Sequence, residues 1–324
     1  MTRTNGAVPL RAADLPSAHV AIVGLGLMGG SLAAALRQRR ACAEVIGIAR
    51  RAETVARAQE LGYIDRGTVD LAAGLAGTDI VVLATPVRAI LATIPRLESL
   101  LAPGCLLIDL GSTKGRIAQA MNALPEAIHV CPAHPMCGKE VAGLDAADPD
   151  LYIDRNFVVT PLLRTRPEAL SLTEQLVSAV GARPRRLDPR RHDRLVAVGS
   201  HLPYLLALGL VATAEEVARE DTLLWDLVAS GFRDTSRLAA SDARMMLDVL
   251  TTNSVAIIEA LERFREHLET LERLLQAGDE PALLRMLEAA AIRRSAAFRT
   301  RSAQGPYATP APGRGCRAQP ATQE

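Results

Sequence analysis

The first half of the chain alternates short apolar segments with amphipathic ones, and this alternation constrains the fold more than any other feature. The apolar segments are rich in Val, Ile and Leu and end at Gly, Pro or polar residues, which is typical of buried strands. They lie at 19–26, 44–49, 78–86, 105–112 and 127–133. Because helical segments connect them, the pattern predicts an α/β fold with a parallel sheet and right-handed crossovers. Two later strands, at 155–161 and 183–188, are expected to extend the same sheet.

The alternation ends near residue 189, and long helical segments follow. We therefore expect a sheet domain at 18–187 and an all-helical domain at 188–297. The first 17 residues have no apolar run and are interpreted as a loose leader, not a signal peptide. The segment 298–324 is rich in Pro, Gly and Ala without periodicity, which is typical of a disordered tail.

One long helical segment carries a regular apolar stripe. Its members recur at steps of four and three residues, which places them on one helix face. They are Ile257, Leu261, Phe264, Leu268, Leu271 and Leu275. Such a face packs either on the core of its own domain or on a second subunit, and the stripe alone leaves both interpretations open.

The composition argues against several classes of protein. The 37 Lys and Arg residues nearly balance the 36 Asp and Glu residues, so we expect no binding to nucleic acid or to an anionic membrane. No run of 18 apolar residues indicates a transmembrane helix. The five cysteines form no C-x-x-C pair, which favours reduced thiols in the cytoplasm. Cys131, His134 and Cys137 lack a fourth ligand, so no metal site is expected.

A glycine pattern follows the first predicted strand and opens a helix. Gly24, Gly26 and Gly29 form G-x-G-x-x-G, whose glycines permit a tight turn, a close approach to a pyrophosphate, and close packing of helix and strand. The helix N-terminus then offers N–H groups to the phosphates. The sheet domain is therefore predicted to be of the Rossmann type. Its predicted cofactor-binding residues here are Gly24, Leu25, Gly26, Leu27, Met28 and Gly29.

The end of the second predicted strand bears on the choice of cofactor. An NAD site usually places Asp or Glu there, whereas this chain has Ala49 followed by Arg50 and Arg51. Guanidinium groups suit a 2′-phosphate, which favours NADP over NAD. The alternative is that both arginines are ordinary solvated side chains and the protein takes either cofactor.

Three strand ends carry the candidate chemistry, because ligands of an open α/β sheet bind at the carboxyl ends of its strands. Thr85 and Pro86 end one strand and are predicted to contact the cofactor. Ser112 ends the next strand, and His134 follows the third. The unperturbed pKa of histidine, near ~6.5, suits proton abstraction at neutral pH.

Five motifs in order resemble the prephenate and arogenate dehydrogenases of tyrosine biosynthesis. They are GLGLMGGSLAAAL, DLGSTKG, HPMCGKEVAG, HDRLVAVGSHLP and GFRDTSRLAASD. The resemblance, which covers about 18–295, implies NAD(P)-dependent oxidative decarboxylation of a cyclohexadienol, L-arogenate or prephenate. It also implies a homodimer formed through the helical domain.

The resemblance implies a role for each matching residue. His134 is expected to accept the substrate hydroxyl proton, and Ser112 to orient that hydroxyl and the histidine. Arg237 is expected to bind a substrate carboxylate, with Arg233 as a second cation, since Arg grips carboxylates bidentately. Glu140 is expected to gate or polarise the entrance to the site.

Alternatives accompany these roles. Ser112 is also interpreted as a helix cap, and Arg233 with Arg237 as a solvated helix face. His201 is either structural or part of the substrate site. The pair His192–Asp193 is interpreted as a helix start that bonds between domains, not as catalytic.

One departure from the family pattern bears on the substrate. Many prephenate-using relatives carry a histidine where this chain has Tyr204, next to the substrate side chain. Tyrosine brings no cation at neutral pH, which favours arogenate or dual use. Two alternatives for the whole protein remain: a β-hydroxyacid-type dehydrogenase with Lys139 or Lys114 as acid/base, and a non-catalytic NADP sensor.

Overall fold

The computed structural model describes residues 8–139 and 141–302, and a parallel six-stranded sheet is its largest sheet. The strand order is β3-β2-β1-β4-β5-β6, with every neighbouring pair parallel. The strands are β1 His19–Val23, β2 Glu44–Ile48, β3 Arg66–Thr68, β4 Ile80–Leu83, β5 Leu106–Asp109 and β6 His129–Val130. The strand order reverses direction between β1 and β4, so a ligand crevice is expected at their carboxyl ends. The predicted α/β fold is confirmed.

Helices cover both faces of this sheet. They are α1 Leu27–Gln38, α2 Ala52–Glu60, α3 Leu71–Leu75, α4 Val87–Leu97 and α5 Gly115–Asn122. Alternate residues of β1 enter different apolar clusters, with Val20 and Ile22 in one and Ala21 and Val23 in the other. A strand that is buried on both sides has no polar face, which explains its continuous apolar sequence.

The sequence had predicted that the two later strands extend the first sheet, and this prediction is wrong. They form a second sheet in the order β7-β8-β9, from β7 Ala133–Pro135, β8 Asn156–Val159 and β9 Arg183–Arg186. β7 pairs antiparallel with β8, and β9 pairs parallel with β8. The chain leaves the first sheet at Pro132, because proline has no N–H to continue the hydrogen-bond ladder with β5. The Pro132 carbonyl instead accepts a hydrogen bond from Thr160 N at 2.8 Å, next to the second sheet.

The helical segment is divided more often than expected. After α6 Pro167–Ala179, which lies between β8 and β9, it comprises α7 Pro189–Val196, α8 Leu202–Glu220, α9 Leu224–Leu227, α10 Ser230–Ser236, α11 Ala243–Thr252, α12 Ser254–Ala277 and α13 Glu280–Ser302. A π-helical turn, Ala197–His201, joins α7 to α8, and a 3-10 turn, Arg237–Ala240, follows α10. Pro203 lies in the first turn of α8, where its missing N–H costs little.

One described segment, Pro189–Glu220, is long and apolar enough to cross a membrane by length and composition, which the sequence prediction overlooked. Of the most apolar 18-residue window in this segment, 33% is buried inside the described structure. Three polar side chains of the segment, His192, Asp193 and His201, are buried. They hydrogen-bond other parts of the chain, as the site geometry below details.

The chain forms two compact units, divided between Phe264 and Arg265 inside α12. The predicted boundary near 187 falls between β9 and α7, within the first unit, and stays a prediction. Within residues 8–17, predicted as part of a loose leader, Ala12 and Leu15 are buried, with Leu15 only 3% exposed, whereas the residues on either side of them are exposed. Residues 298–302 of the predicted tail belong to α13, and the rest of the tail lies outside the described residues.

The apolar stripe of α12 is exposed at three of its six positions. Leu261 is 42%, Leu268 is 48% and Leu275 is 68% exposed. Ile257 lies in a core cluster with Leu202, and Phe264 packs against this cluster. The stripe therefore packs in part on its own domain, while its exposed leucines leave room for contact with a second subunit.

Candidate active site

The glycine-rich turn after β1 forms a cradle for a dinucleotide. Gly24 has a φ of +106°, and a Cβ there would lie 2.7 Å from Thr85 Cγ2. A Cβ on Gly29 would lie 1.9 Å from the Gly24 carbonyl oxygen, so α1 packs against the turn only because this residue is glycine. A Cβ on Gly26 would meet nothing within 4 Å, which leaves open space at the N-terminus of α1. The described residues therefore fit a pyrophosphate at this helix N-terminus.

The other residues predicted in the turn differ in their exposure. Leu25 is buried in the core, and Leu27 and Met28 pack partly buried against it. The Met28 carbonyl accepts a hydrogen bond from Tyr152 Oη at 2.6 Å. These side chains pack to stabilise the turn, so the backbone of the turn is the part expected to contact a cofactor.

Thr85 follows β4, beside the carboxyl end of β1. Its Oγ1 is buried and has no hydrogen-bond partner among the described residues. An unpaired buried hydroxyl is costly, so this one marks a place where a polar ligand group is expected. Pro86 next to it caps the N-terminus of α4. Both positions suit the ligand crevice between β1 and β4.

Arg50 and Arg51 lie at the outer end of the crevice. Both are exposed, and Arg51 is the residue before the first turn of α2. Neither forms an ion pair with the residues that the structure describes, in contrast to Arg37 and Arg57 of neighbouring helices. Two uncommitted guanidinium groups at a helix N-terminus suit a phosphate.

His134 lies in the middle of β7, where the strand directs it to the face opposite its buried neighbours. Its Nδ1 lies 2.9 Å from His192 Nε2. The two rings meet edge to face, with centroids 5.1 Å apart. His192 Nδ1 in turn lies 2.8 Å from Asp193 Oδ1. A carboxylate, an imidazole and a second imidazole are thus connected in a row.

The N-terminus of α5 holds the carboxylate of this row. Asp193 Oδ1 accepts from Lys114 N at 2.7 Å, and Oδ2 accepts from Gly115 N at 2.7 Å. Burial alone would raise the pKa of Asp193, but hydrogen bonds from His192 and from these two amides outweigh it and lower the pKa. Asp193 is therefore ionised at neutral pH.

The electrostatic surroundings keep His134 and His201 neutral. Burial lowers the pKa of His134 well below its usual value, and the nearby Lys114 ammonium lowers it further. Burial likewise lowers the pKa of His201 to about 4. A neutral imidazole with a free nitrogen is the form that accepts a proton.

An ion pair beneath the site fixes the strands that carry it. Asp109 at the end of β5 contacts Lys114 Nζ, and both side chains are fully buried. The carboxylate also accepts from Gly111 N at 2.8 Å and from Ala133 N at 3.3 Å. Asp109 therefore ties β5 to the start of β7 and helps to place His134.

The surroundings of Lys114 and Lys139 argue against the alternative in which one of them is the catalytic acid/base. Burial lowers the pKa of Lys114, but its ammonium is fully buried and paired with Asp109. Lys139 is exposed and pairs with Asp148 at 2.9 Å. The row of histidines offers the better base.

Ser112 is half-buried between β5 and α5, beside this network. The interpretation of Ser112 as a helix cap is wrong, because α5 begins at Gly115 and no side chain at its N-cap residue Lys114 closes it. The Asp193 carboxylate accepts from the terminal amides instead. The Ser112 hydroxyl therefore has no capping role.

His201 and Tyr204 lie at the start of α8. Asn253 Nδ2 lies 3.2 Å from His201 Nδ1 and donates to the Asp193 carbonyl at 2.9 Å. Tyr204 is buried and packs with Met246 and Val249. These contacts favour a supporting role for His201, beside the histidine row.

The remaining predicted substrate residues lie on the helical segment. Arg233 and Arg237 are exposed, on α10 and on the 3-10 turn that follows it. Arg233 pairs with its neighbour Asp234 at 3.3 Å. Glu140 lies outside the described residues. The structure thus connects His134 to Asp193 through His192. That Arg233 and Arg237 belong to the same site stays a prediction.

The bonding that the sequence interpretation expected of His192–Asp193 is present, because Asp193 accepts from Lys114 N and Gly115 N. Asp188 is the residue that caps α7, accepting from Arg191 N at 2.8 Å, and the contact of His192 with His134 was not predicted. The signal in the sequence was a polar His–Asp pair shortly before the largely apolar α8. A buried charge needs partners, which pointed to a network.

The fold and the site define a class of protein: a nicotinamide-dependent dehydrogenase with a histidine base at the carboxyl edge of its sheet. Comparisons with known proteins narrow this class. A family model described as prephenate dehydrogenase, nucleotide-binding domain, matches residues 32–185. One described as prephenate dehydrogenase, dimerization domain, matches residues 188–289. The chain belongs to the prephenate dehydrogenase family and is an oxidoreductase, as its motifs indicated.

Individual relatives agree with this assignment. A prephenate dehydrogenase of Lactococcus lactis is 33% identical over 272 residues, covering 83% of this chain and 74% of the relative. The crystal structure of prephenate dehydrogenase from Aquifex aeolicus in complex with hydroxyphenyl propionate and NAD+ has a TM-score of 0.81 and 30% identity, covering 87% of this chain and 98% of that one. Arogenate dehydrogenase from Synechocystis has a TM-score of 0.76 and 32% identity, covering 86% and 99%.

Proposed function

We propose that this protein catalyses the NAD(P)-dependent oxidative decarboxylation of a cyclohexadienol, L-arogenate or prephenate, to tyrosine or 4-hydroxyphenylpyruvate. The observation that carries the proposal is His134, a neutral imidazole held at the carboxyl edge of the sheet, on the same edge as the glycine cradle. The names of the relatives from Lactococcus lactis and Synechocystis support the substrate class.

The chain's residues have distinct parts in the proposed reaction. His134 takes the proton of the substrate hydroxyl, and the Ser112 hydroxyl orients that group. A nicotinamide cofactor held by the glycine cradle would supply the acceptor for the hydride that leaves the carbon carrying the hydroxyl. The ring carboxylate leaves as carbon dioxide, its electron pair makes the ring aromatic, and the phenolic oxygen regains the proton from His134. General base catalysis of this kind is typically worth ~10²–10⁴-fold.

The substrate carboxylates need cationic partners. Arg237 is proposed to bind one of them, with Arg233 as a second cation, because both exposed side chains belong to the short helical stretch that packs on α8. Tyr204 is uncharged at neutral pH, so it offers no cation to a pyruvyl carboxylate. We therefore favour arogenate, or dual use, over strict use of prephenate.

A paired assay tests this function. Purified protein is given arogenate or prephenate, each with NAD and with NADP, and the reduced nicotinamide is followed at fixed pH. The account expects turnover, with the combination of arogenate and NADP the most efficient. Dominance of prephenate would overturn the inference from Tyr204, and absence of turnover in all four mixtures would overturn the function.

The preference for NADP has a test of its own. Arg50→Ala combined with Arg51→Ala is expected to raise KM for NADP by roughly 10-fold to 100-fold, since the loss of a single charged hydrogen bond costs ~1.5–3 kcal/mol. KM for NAD is expected to change little. Arg96→Ala, an exposed arginine in the last turn of α4, is the matched control. Equal effects on both cofactors would mean that the arginines do not read the 2′-phosphate.

A homodimer through the helical segment is also proposed. The family model for residues 188–289 carries the description dimerization domain, and Leu261, Leu268 and Leu275 of the α12 stripe are exposed in the protomer. Burial of such a stripe by a partner removes apolar surface from water. The partners are otherwise proposed to be small molecules, without nucleic acid or membrane, and the cytoplasmic location stays a prediction.

A further inference from the structure

The row Asp193–His192–His134 has a defined proton arrangement. Asp193 is ionised, and an ionised carboxylate only accepts hydrogen bonds. His192 Nδ1, 2.8 Å from Asp193 Oδ1, must therefore carry a proton and donate it. A His192 ring with one proton carries it on Nδ1 and so keeps a lone pair on Nε2.

The second contact extends this arrangement to the base. His134 Nδ1 lies 2.9 Å from His192 Nε2, and one of the two nitrogens must donate. Because His192 Nε2 accepts, His134 Nδ1 carries the proton. His134 Nε2 is left with its lone pair, and it is the nitrogen available to a substrate.

We propose that His192 and Asp193 are positioning residues that fix His134 in the Nδ1–H tautomer, with Nε2 as the basic atom. The inference rests on the proposed function for its catalytic consequence, but the tautomer itself does not depend on the substrate. After proton uptake at Nε2, the Nδ1–H bond to His192 persists, so the row also stabilises the imidazolium.

The same carboxylate connects the row to the other side of the site. Asp193 accepts from the amides of Lys114 and Gly115, which follow Ser112 by two and three residues. Asn253 Nδ2 donates to the Asp193 carbonyl and so anchors α7 against the start of α12. A shift of Asp193 would displace the base and the Ser112 segment together.

The competing explanation is that His192 only stabilises the fold. Replacements of His192 distinguish this explanation from the positioning role. His192→Phe keeps a buried ring but removes the acceptor for His134 Nδ1–H. We expect kcat to fall by at least about 10-fold, with smaller changes in KM. The acid limb of the kcat profile is expected to move down by about one pH unit, because the imidazolium loses a partner. The other titratable groups that face His134, namely Lys114 and His201, are unchanged in this variant.

Two further variants sharpen the comparison. His192→Gln places an amide oxygen near the former Nε2, and it is expected to restore most of kcat and the original acid limb. His129→Phe is the structural control, since it removes a contact of 3.0 Å between a buried histidine and the Val8 carbonyl outside the site. It is expected to lower Tm without moving the acid limb. A His192→Phe variant that behaves like this control would overturn the proposal.

The tautomer is measured directly by nitrogen NMR on the full chain labelled with ¹⁵N-histidine, with His134→Asn used to assign the signal. The expected result is a protonated Nδ1 and an unprotonated Nε2 at neutral pH. A protonated Nε2 would overturn the inference. The result is independent of turnover, so a protein inactive on arogenate and prephenate would refute the proposed function and still answer this question.

Discussion

His134→Asn is expected to lower kcat by at least about 100-fold, consistent with the loss of a general base. The dissociation constant for NADP is expected to change little, because His134 belongs to the second sheet and the glycine cradle to the first. Steady-state kinetics and cofactor titration measure the two quantities. His19→Asn is the control, since His19 begins β1 at the amino edge of the sheet and pairs with Asp79.

The same residue predicts the pH dependence of the reaction. The base must be neutral to accept a proton, and burial lowers the pKa of His134 below its usual value. Activity is therefore expected to persist as the pH falls through ~6.5 and to decline only at lower pH. An acid limb at or above pH ~6.5, or near-normal kcat in His134→Asn, would contradict the assignment.

The second large effect concerns the glycine cradle, where two alanine substitutions are expected to differ. Gly29→Ala places a Cβ 1.9 Å from the Gly24 carbonyl oxygen, so the turn or α1 must move. Overpacking of this kind typically costs 1–3 kcal/mol. Both Tm without cofactor and the affinity for NADP are expected to fall.

Gly26→Ala is the matched variant, because its Cβ meets no atom within 4 Å. It occupies space where a pyrophosphate approaches the N-terminus of α1. We expect Tm without cofactor to fall less than in Gly29→Ala, while the dissociation constant for NADP rises at least about 10-fold. Thermal unfolding and fluorescence titration measure the pair. Unchanged NADP affinity in Gly26→Ala would place the cofactor elsewhere.

The parallel sheet could be predicted from the sequence because its signals are local. Most of its strands are largely apolar runs, and the glycine pattern that follows β1 needs only six residues. β3, with the sequence Arg-Gly-Thr, has no such run and was not predicted. The second sheet could not be predicted in the same way. Its origin is the exit of the chain at Pro132, and the antiparallel pairing of His134 with Val158 depends on contacts between distant residues.

The site was predicted in part for the same reason. His134 and Ser112 follow strand ends, and strand ends are visible in the sequence. The partner of His134 is 58 residues further along the chain, and the amide that holds Asp193 is 79 residues before it. Nothing local indicates which of the histidines meet, so the row Asp193–His192–His134 required the fold.

The central claim is that oxidation and decarboxylation occur together. Arogenate and prephenate labelled with ¹⁴C in the ring carboxylate would be given to the purified protein with NADP, and released carbon dioxide would be counted against reduced nicotinamide. The account predicts one carbon dioxide for each reduced nicotinamide, with both products lost in His134→Asn. Reduced nicotinamide without labelled carbon dioxide would contradict it and indicate a simple hydroxyacid dehydrogenase.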